Sequence, residues 1–329
     1  MNGRRIIYRQ FGSPASVLSV EESPSRALKK DDVLVKMTMM PINPSDLIPI
    51  RGAYAHRISL PAVPGYEGVG IVEEVGSNVS STLIGKRVLP LRGEGTWQDV
   101  VQTKAAHVVT IPSTLNDRTA AQLYINPLTA FVLCTDILNL RPRDVVVMNA
   151  ASSALGKLIA QMSKLRGFSF IAVVRNDVYK EELLQLGATT VVNNGDESVY
   201  DEVLAYTAGA GATVAIDSIG GEAGNRLGAC VQRNGVFLAV GLLSGQQVNW
   251  QGLSSRLQTT LFHLRQWNKT VTDTHWHQAF NTLISHVSEG ILTISNDGTA
   301  YELANVQQAV KQAEQASNFN GKVFLLGQK

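Results

Sequence analysis

A run of small residues, Asn149 to Gly156, is the stretch of this sequence best suited to binding a ligand. It follows the apolar run Val145 to Met148 and precedes a helical pattern from Lys157 to Arg166. This order predicts a strand, a tight turn and a helix. Because the first N–H groups of a helix are unpaired and its N-terminus is partly positive, such a turn can hold a phosphate. The sequence keeps only Gly156 of the usual G-x-G-x-x-G fingerprint, with Ala154 at the middle position, so an ordinary strand-to-helix turn stays an alternative.

A basic residue, Arg175, ends the next apolar run, Phe170 to Val174. In dinucleotide-binding folds an Asp or Glu at this point, roughly 20 residues on, binds the ribose 2′-hydroxyl of NAD. A guanidinium suits a 2′-phosphate instead, so Arg175 favours NADP, and hence NADPH as the cofactor. Asp177 lies two residues further on and argues mildly for NAD. The alternative is that Arg175 is a solvated strand end.

The elements that must position these residues alternate along the chain from Asp144 to Gly241. Strand and helix patterns follow each other there, which predicts an α/β unit with a doubly wound parallel sheet. Ligands of such sheets bind beyond the carboxyl ends of the strands. We expect four residues at those ends, namely Asn149, Arg175, Asp217 and Gly241.

The rest of the chain has a different pattern. Residues 1–119 show short apolar runs separated by turns and glycines, which is typical of a small barrel-like β domain. After the parallel-sheet pattern, helical segments lead to a terminal strand, Gly321 to Leu326. We expect this tail to pack back on the first domain.

Composition excludes several classes of protein. The chain has 329 residues, 44% of them hydrophobic, and a net charge of +2, which favours a globular protein of two domains and not a nucleic-acid partner. No apolar stretch approaches the roughly 20 residues of a membrane span. We see no signal peptide, and Cys134 and Cys230 lie far apart. We therefore expect a cytoplasmic location, without disulfides or a thiolate metal site.

Several motifs carry a resemblance to a known family. They are Ile42-Asn43-Pro44-Ser45-Asp46, Gly65-Tyr66-Glu67-Gly68-Val69-Gly70, Val75-Gly76-Ser77-Asn78-Val79 and Asn126-Pro127-Leu128-Thr129-Ala130. With these motifs the chain resembles the medium-chain dehydrogenase/reductase superfamily over nearly its whole length. It is most similar to the zinc-free branch of NADPH:quinone reductases and mitochondrial-type 2-enoyl thioester reductases. The resemblance implies a GroES-like β-barrel catalytic domain, residues 1–119 and 259–329, and a Rossmann NADPH-binding domain, residues 120–258.

The resemblance also implies roles for individual residues. Tyr54 matches the tyrosine that enoyl reductases of this kind use as proton donor, with an ordinary loop aromatic as the alternative. Asn43 and Trp267 match residues at the substrate site, and plain core packing is the alternative for Trp267. Contacts to the cofactor are implied for Asn126, Ser152, Ser153, Ala154, Leu155, Gly156, Arg175, Asn176, Asp177, Gly241, Leu242, Leu243, Phe262 and Lys322.

A catalytic metal is not expected. Zinc alcohol dehydrogenases of the superfamily place a Cys where Asn43 falls and a His where Tyr66 falls, and this chain has neither. A catalytic zinc typically needs three converging protein ligands. Without a Lewis acid, hydride transfer to a polarised C=C bond or a quinone fits better than alcohol oxidation, because those substrates carry their own electron sink.

We therefore expect an NADPH-dependent, zinc-independent reductase of an activated C=C bond, such as a 2-enoyl thioester, with Tyr54 as proton donor. An NADPH:quinone reductase on the same fold is the alternative, and a non-enzymatic NADPH-binding protein is a third. The partner is a small-molecule electron acceptor, not nucleic acid or a membrane. By resemblance alone, we expect a homodimer.

Overall fold

The computed structural model describes residues 3–24, 27–92, 95–195, 198–315 and 321–328. The strands in chain order are β1 (Gly3–Ile7), β2 (Ser19–Ser23), β3 (Asp32–Pro41), β4 (Val69–Val75), β5 (Arg87–Pro90), β6 (Val100–Lys104), β7 (Val108–Thr110), β8 (Val145–Met148), β9 (Ser169–Val174), β10 (Thr190–Asn193), β11 (Ala212–Asp217), β12 (Val231–Ala239), β13 (Gln258–Leu261), β14 (Gly298–Glu302) and β15 (Lys322–Leu326). The α-helices are α1 (Pro14–Val17), α2 (Pro44–Ile50), α3 (Asp117–Ala121), α4 (Asn126–Val132), α5 (Ala154–Arg166), α6 (Lys180–Leu186), α7 (Val199–Tyr206), α8 (Gly221–Ala229), α9 (Trp250–Ser254), α10 (Leu264–Thr270), α11 (Asp273–Ser288) and α12 (Val306–Glu314).

The chain forms two compact units. The first comprises Met1–Ile125, Phe280–Ser288 and Ile294–Lys329, and the second comprises Asn126–Ala279 and Glu289–Thr293.

The first unit is built on a mostly antiparallel sheet. Its strands lie in the order β14-β15-β3-β4-β5-β7, and β6 pairs with β3. Val33, Val35 and Met37 alternate along β3 and are fully buried, which is the period-2 pattern of a strand with one face in the core. The predicted β domain is thereby confirmed.

The second unit is built on a parallel sheet. In the described residues its strands lie in the order β10-β9-β8-β11-β12-β13, the order of a doubly wound dinucleotide-binding fold. Its strands β8 and β9 are apolar almost throughout because helices cover both faces of such a sheet. The predicted doubly wound sheet is confirmed.

The helix after β8 begins earlier than its apolar periodicity predicts. It starts at Ala154 and not at Lys157, because Ser153 caps it by accepting the N–H of Gly156 at 3.2 Å. It ends where the sequence predicts, at Gly167, whose φ of +81° is a conformation that favours glycine.

The units divide the chain at points that differ from the predicted boundaries. The first division lies after Ile125 and not after residue 119, because Tyr124 and Ile125 donate backbone N–H groups to Glu67. The second unit continues beyond residue 258 because β13 pairs in parallel with β12. This edge strand is mostly polar and exposed, so it lacks the apolar run by which the other strands are recognised.

Within the ranges that the structure describes, every helix is too short or too polar to span a lipid bilayer.

Candidate active site

The tyrosine predicted to donate a proton lies on a short turn of the first unit. Tyr54 follows α2 and precedes a 3₁₀ turn, Ala55–Arg57, and its side chain is half-buried. Gly52 starts the turn with a φ of +94°, and a Cβ there would lie 3.3 Å from the Cβ of Phe11. The guanidinium carbon of Arg57 lies 3.7 Å from the centroid of the Tyr54 ring, which is a cation–π contact.

A buried carboxylate organises the segment before this turn. Asp46 is 1% exposed and accepts the backbone N–H of Asn43 at 2.7 Å and that of Tyr66 at 3.1 Å. Burial, reinforced by the nearby Glu67 carboxylate, raises the pKa of Asp46 to about 7, although these backbone bonds act to lower it. The carboxylate therefore ties the start of α2 to the residue that precedes Glu67.

A second buried carboxylate holds the amide of Asn43. Glu67 accepts the Asn43 Nδ2 at 2.7 Å with one oxygen, and with the other the N–H groups of Tyr124 and Ile125 at 3.1 and 2.7 Å. The ammonium of Lys322 donates to Asn43 Oδ1. Both ends of this amide are therefore engaged, so its orientation is fixed.

Burial and neighbouring charges act in opposite directions on the pKa values of Glu67 and Lys322. Burial raises the pKa of Glu67, while the Lys322 ammonium and the bonds it accepts oppose the rise. Burial lowers the pKa of Lys322, while Glu67 and Asp46 oppose the fall. We call the buried residues Asn43, Asp46 and Glu67, together with the half-buried Lys322, the buried polar cluster.

The buried polar cluster does not fit a catalytic zinc. At the two positions where the resemblance implies zinc ligands, the chain has Asn43 and Tyr66. The Asn43 amide already forms hydrogen bonds with the Glu67 carboxylate and the Lys322 ammonium. The positive charge of Lys322 would repel a divalent cation. In the described part of the chain, no three His, Cys, Asp or Glu side chains are grouped so that they could hold a metal ion.

The turn predicted to hold a phosphate lies in the second unit, between β8 and α5. A Cβ on Gly156 would lie 2.2 Å from the carbonyl oxygen of Ala151, so only glycine fits there. Ala150 has a φ of +49°. This tight turn places residues 152–155, which are exposed or half-buried, at the start of α5, where N–H groups and the helix dipole favour an anion. The turn therefore fits a pyrophosphate group.

Asn149 and Asp217 join the carboxyl ends of two neighbouring strands. Asn149, after β8, donates its Nδ2 to Asp217 Oδ1 at 2.6 Å and accepts the N–H of Ser218 at 2.8 Å. Asp217, at the end of β11, is fully buried and also accepts the N–H groups of Ile219 and Gly220. The pair fixes the turn that leads into α8.

Arg175 lies at the same edge, directly after β9. It is exposed, and among the described residues it forms no ion pair. The neighbouring turn is tied to this strand end because Ala151 N–H donates to Val173 O at 3.1 Å. Asn176 and Asp177 follow, both exposed, and Asn176 caps the next turn by accepting the N–H of Val178 at 3.3 Å. A guanidinium in this place fits a 2′-phosphate.

The ends of β12 and β13 contribute to the same edge. Gly241 passes so close to the preceding strand connection that a Cβ would lie 2.7 Å from Ser218 O. Leu242 and Leu243 follow and are 39% and 60% exposed, although large apolar side chains are usually covered. Phe262 follows β13 and donates its N–H to Ala239 O at 2.9 Å. Most of the predicted cofactor residues thus lie at one sheet edge of the second unit.

Two predicted cofactor residues lie elsewhere. Lys322 belongs to the buried polar cluster of the first unit. Asn126 is the first residue of α4.

Trp267 lies on α10 and is 8% exposed. Its Nε1 donates to Asp136 Oδ2 at 3.3 Å, and the same oxygen lies 2.8 Å from His275 Nε2. The His275 ring packs edge-on to the indole. Asp136 lies in a π-helical turn, Leu133–Ile137, that continues α4. No local sequence pattern marks this trio, because Asp136 lies 131 residues from Trp267 and 139 residues from His275.

Comparison with protein families finds two matching regions. Residues 29–113 match the alcohol dehydrogenase GroES-like domain, and residues 154–289 match a family described as zinc-binding dehydrogenase.

Characterised relatives include mitochondrial enoyl-[acyl-carrier-protein] reductases. The protein from Bos taurus is 32% identical over 298 residues, which are 88% of this chain and 80% of the relative. The protein from Arabidopsis thaliana is 40% identical over 201 residues, which are 60% of this chain, and the match spans about half (54%) of its length.

Similar solved structures include quinone reductases. A Bacillus thuringiensis protein provisionally described as an NADPH:quinone reductase is 51% identical, with a TM-score of 0.98 and all of both chains covered. The Escherichia coli quinone oxidoreductase, solved in complex with NADPH, is 26% identical, with a TM-score of 0.88 over 98% of this chain and 99% of that one.

Proposed function

The chain belongs to the medium-chain dehydrogenase/reductase superfamily, in the branch of the mitochondrial enoyl thioester reductases and NADPH:quinone reductases, and from this premise we propose that it is an NADPH-dependent, zinc-independent reductase of polarised C=C bonds. Its substrates in this proposal are 2-enoyl thioesters, and Tyr54 is the proton donor.

One observation carries the cofactor part of the proposal. The capped start of α5 and the exposed Arg175 lie at the carboxyl edge of the same two paired strands, β8 and β9. Helix N–H groups suit a pyrophosphate, and a guanidinium suits a 2′-phosphate. NADPH carries both a pyrophosphate and a 2′-phosphate, whereas NAD lacks the 2′-phosphate that Arg175 would bind.

The substrate part is supported by the relatives. The Bos taurus protein, which matches 88% of this chain, is an enoyl-[acyl-carrier-protein] reductase. When bound, NADPH would supply a hydride to the substrate carbon β to the thioester carbonyl, so that a C–H bond forms, the C=C π bond breaks and an enolate results. The substrate carbon beside the thioester carbonyl then takes the proton of Tyr54 Oη, so an O–H bond breaks, a C–H bond forms and a phenolate remains. Solvent returns the proton to Tyr54.

A second candidate function is quinone reduction. It is favoured by the 51% identity with the Bacillus thuringiensis protein, which is provisionally described as an NADPH:quinone reductase. A quinone takes up charge on its own oxygens, so its reduction does not depend on a proton donor at carbon. Tyr54 would then be dispensable.

A substrate panel tests the proposal. Purified protein is mixed with NADPH, and the loss of absorbance at the nicotinamide band is followed with crotonyl-CoA, a benzoquinone and a naphthoquinone. We expect turnover of crotonyl-CoA to exceed that of both quinones in kcat/KM. Turnover of the quinones alone would replace the proposal with the second candidate.

Cofactor choice is tested in the same assay with NADH and with an Arg175→Gln variant. We expect the wild type to prefer NADPH, and the variant to lose roughly 10- to 100-fold of that preference, since a charged hydrogen bond contributes about 1.5–3 kcal/mol. An unchanged preference in Arg175→Gln would contradict the role given to this residue.

We also propose a homodimer joined along β13. This strand is the edge of the parallel sheet, and its Leu261 is 63% exposed. An exposed edge strand with an apolar side chain is a template for pairing with another chain. Light scattering should show a dimer for the wild type and a monomer for Leu261→Asp; a dimeric variant would contradict this interface.

A cytoplasmic location stays a prediction from the sequence, to be checked by fractionating the source cells.

A further inference from the structure

The turn that carries Tyr54 also carries an arginine in register with it. Tyr54 precedes the 3₁₀ turn Ala55–Arg57, and Arg57 N–H donates to Tyr54 O at 3.0 Å. Side chains three residues apart eclipse each other in 3₁₀ geometry. This register places the Arg57 guanidinium over the phenol ring, at 3.7 Å from its centroid.

The charge of Arg57 is not shared with a carboxylate in the described residues. Arg51, six residues earlier, differs in this respect, because its Nη2 lies 2.6 Å from Glu314 Oε1 in an ion pair. The positive charge of Arg57 is therefore directed at the Tyr54 ring, whereas that of Arg51 is balanced by Glu314.

A cation over a phenol ring has a consequence for proton donation. When the Tyr54 O–H bond breaks and the substrate carbon takes the proton, negative charge develops on the phenol oxygen and its ring. A guanidinium held in advance over that ring stabilises this charge without reorganisation. We propose that Arg57 is a positioning residue that orients the Tyr54 ring and stabilises the phenolate formed by proton donation. This inference rests on the proposed function, in which Tyr54 is the proton donor.

The test uses five proteins, namely the wild type, Arg57→Gln, Arg57→Lys, Tyr54→Phe and the double variant Arg57→Gln/Tyr54→Phe. Each is assayed for kcat and KM with crotonyl-CoA and NADPH, in H2O and in D2O. Arg51→Gln serves as a matched control on the same segment, because it removes an arginine whose charge is paired elsewhere.

We expect Arg57→Gln to lower kcat roughly tenfold, equivalent to about 1.4 kcal/mol in the barrier, with little change in KM. The solvent isotope effect on kcat should rise, because proton donation then limits the rate more strongly. Arg57→Lys should recover part of the loss, and Arg51→Gln should resemble the wild type. In the Tyr54→Phe background, Arg57→Gln should cause no further loss, because there is no phenolate to stabilise.

Three results would overturn the inference, and they are distinguishable. A raised KM with unchanged kcat in Arg57→Gln would make Arg57 a substrate-binding residue. An equal loss in both backgrounds would show that Arg57 acts independently of Tyr54. Full activity of Tyr54→Phe would remove the proposed proton donor, and with it both this inference and the donor assignment of the proposed function.

Discussion

The two units differ in the chemical groups that form their candidate functional sites. The second unit uses backbone, at the capped start of α5 and the ends of parallel strands, and this edge is largely exposed. The first unit uses side chains, where the half-buried Lys322 ammonium interacts with the buried carboxyl groups of Asp46 and Glu67. Backbone donors are neutral and need only local sequence, whereas buried charges need one another. Substitutions in the buried polar cluster should therefore mainly alter stability. Substitutions at the sheet edge of the second unit should mainly alter cofactor binding.

The largest effect is expected from Lys322→Met. Loss of this ammonium removes the cation that opposes the raised pKa values of the buried Asp46 and Glu67 carboxyl groups, and breaking such a group costs roughly 3–5 kcal/mol of unfolding free energy. Lys322→Arg keeps the charge and should cost less. Urea denaturation of the three proteins provides the measurement. A Lys322→Met protein as stable as the wild type would show that the ammonium does not stabilise the carboxyl groups of Asp46 and Glu67.

The next effect is a pH dependence that Asp46 confers. Its pKa is raised in the folded protein to about 7 from 3.8, so between these values the folded state binds more protons than the unfolded state. Stability from this group is therefore full below about pH 4 and is lost as pH rises towards 7, at roughly 1.4 kcal/mol per pKa unit.

Asp46→Asn should remove this slope. We expect its unfolding free energy to change less between pH 5 and pH 8 than that of the wild type, even though Asn accepts the two backbone N–H groups less well. Urea titrations at both pH values measure the difference. Equal slopes in the two proteins would contradict the raised pKa of Asp46.

At the second unit, Gly156→Ala should act on binding. Its Cβ would lie 2.2 Å from Ala151 O, so the turn must move, and we expect NADPH affinity to fall at least about tenfold, or 1.4 kcal/mol. Gly195→Ala is the matched control, because its nearest neighbour would lie at an ordinary 3.4 Å. Fluorescence titration with NADPH measures both. Equal affinities in the two variants would mean that the turn does not approach the cofactor.

The smallest effect is expected from His275→Gln. In the second unit, His275 Nε2 and Asp136 Oδ2 form a polar contact at 2.8 Å, but their side chains are 49% and 21% exposed. Exposed pairs contribute about 0–1 kcal/mol, and Trp267 keeps its own bond to Asp136. Urea denaturation should show a loss within this range. A loss of unfolding free energy as large as that of Lys322→Met would show that this exposed contact stabilises the protein as much as the buried polar cluster does.

The difference between local backbone motifs and contacts of distant side chains also explains which parts of the candidate site the sequence could predict. The turn before α5, Arg175 and Gly241 are marked by local patterns, because a strand, a turn and a helix follow one another along the chain. The contacts of Asn43 with Glu67 and Lys322 join residues 24 and 279 positions apart, and no spacing reveals them. Strand β13 was hidden for another reason, since a polar edge strand carries no apolar run.

In the proposed function, Tyr54 donates a proton to an enoyl thioester reduced by NADPH. The most direct test compares kcat for crotonyl-CoA and NADPH in the wild type and in Tyr54→Phe, with the unfolding curve of each protein as a control. We expect a folded variant whose kcat falls by about 100-fold or more, the usual contribution of a positioned acid. A folded Tyr54→Phe protein with the wild-type kcat would contradict this role of Tyr54.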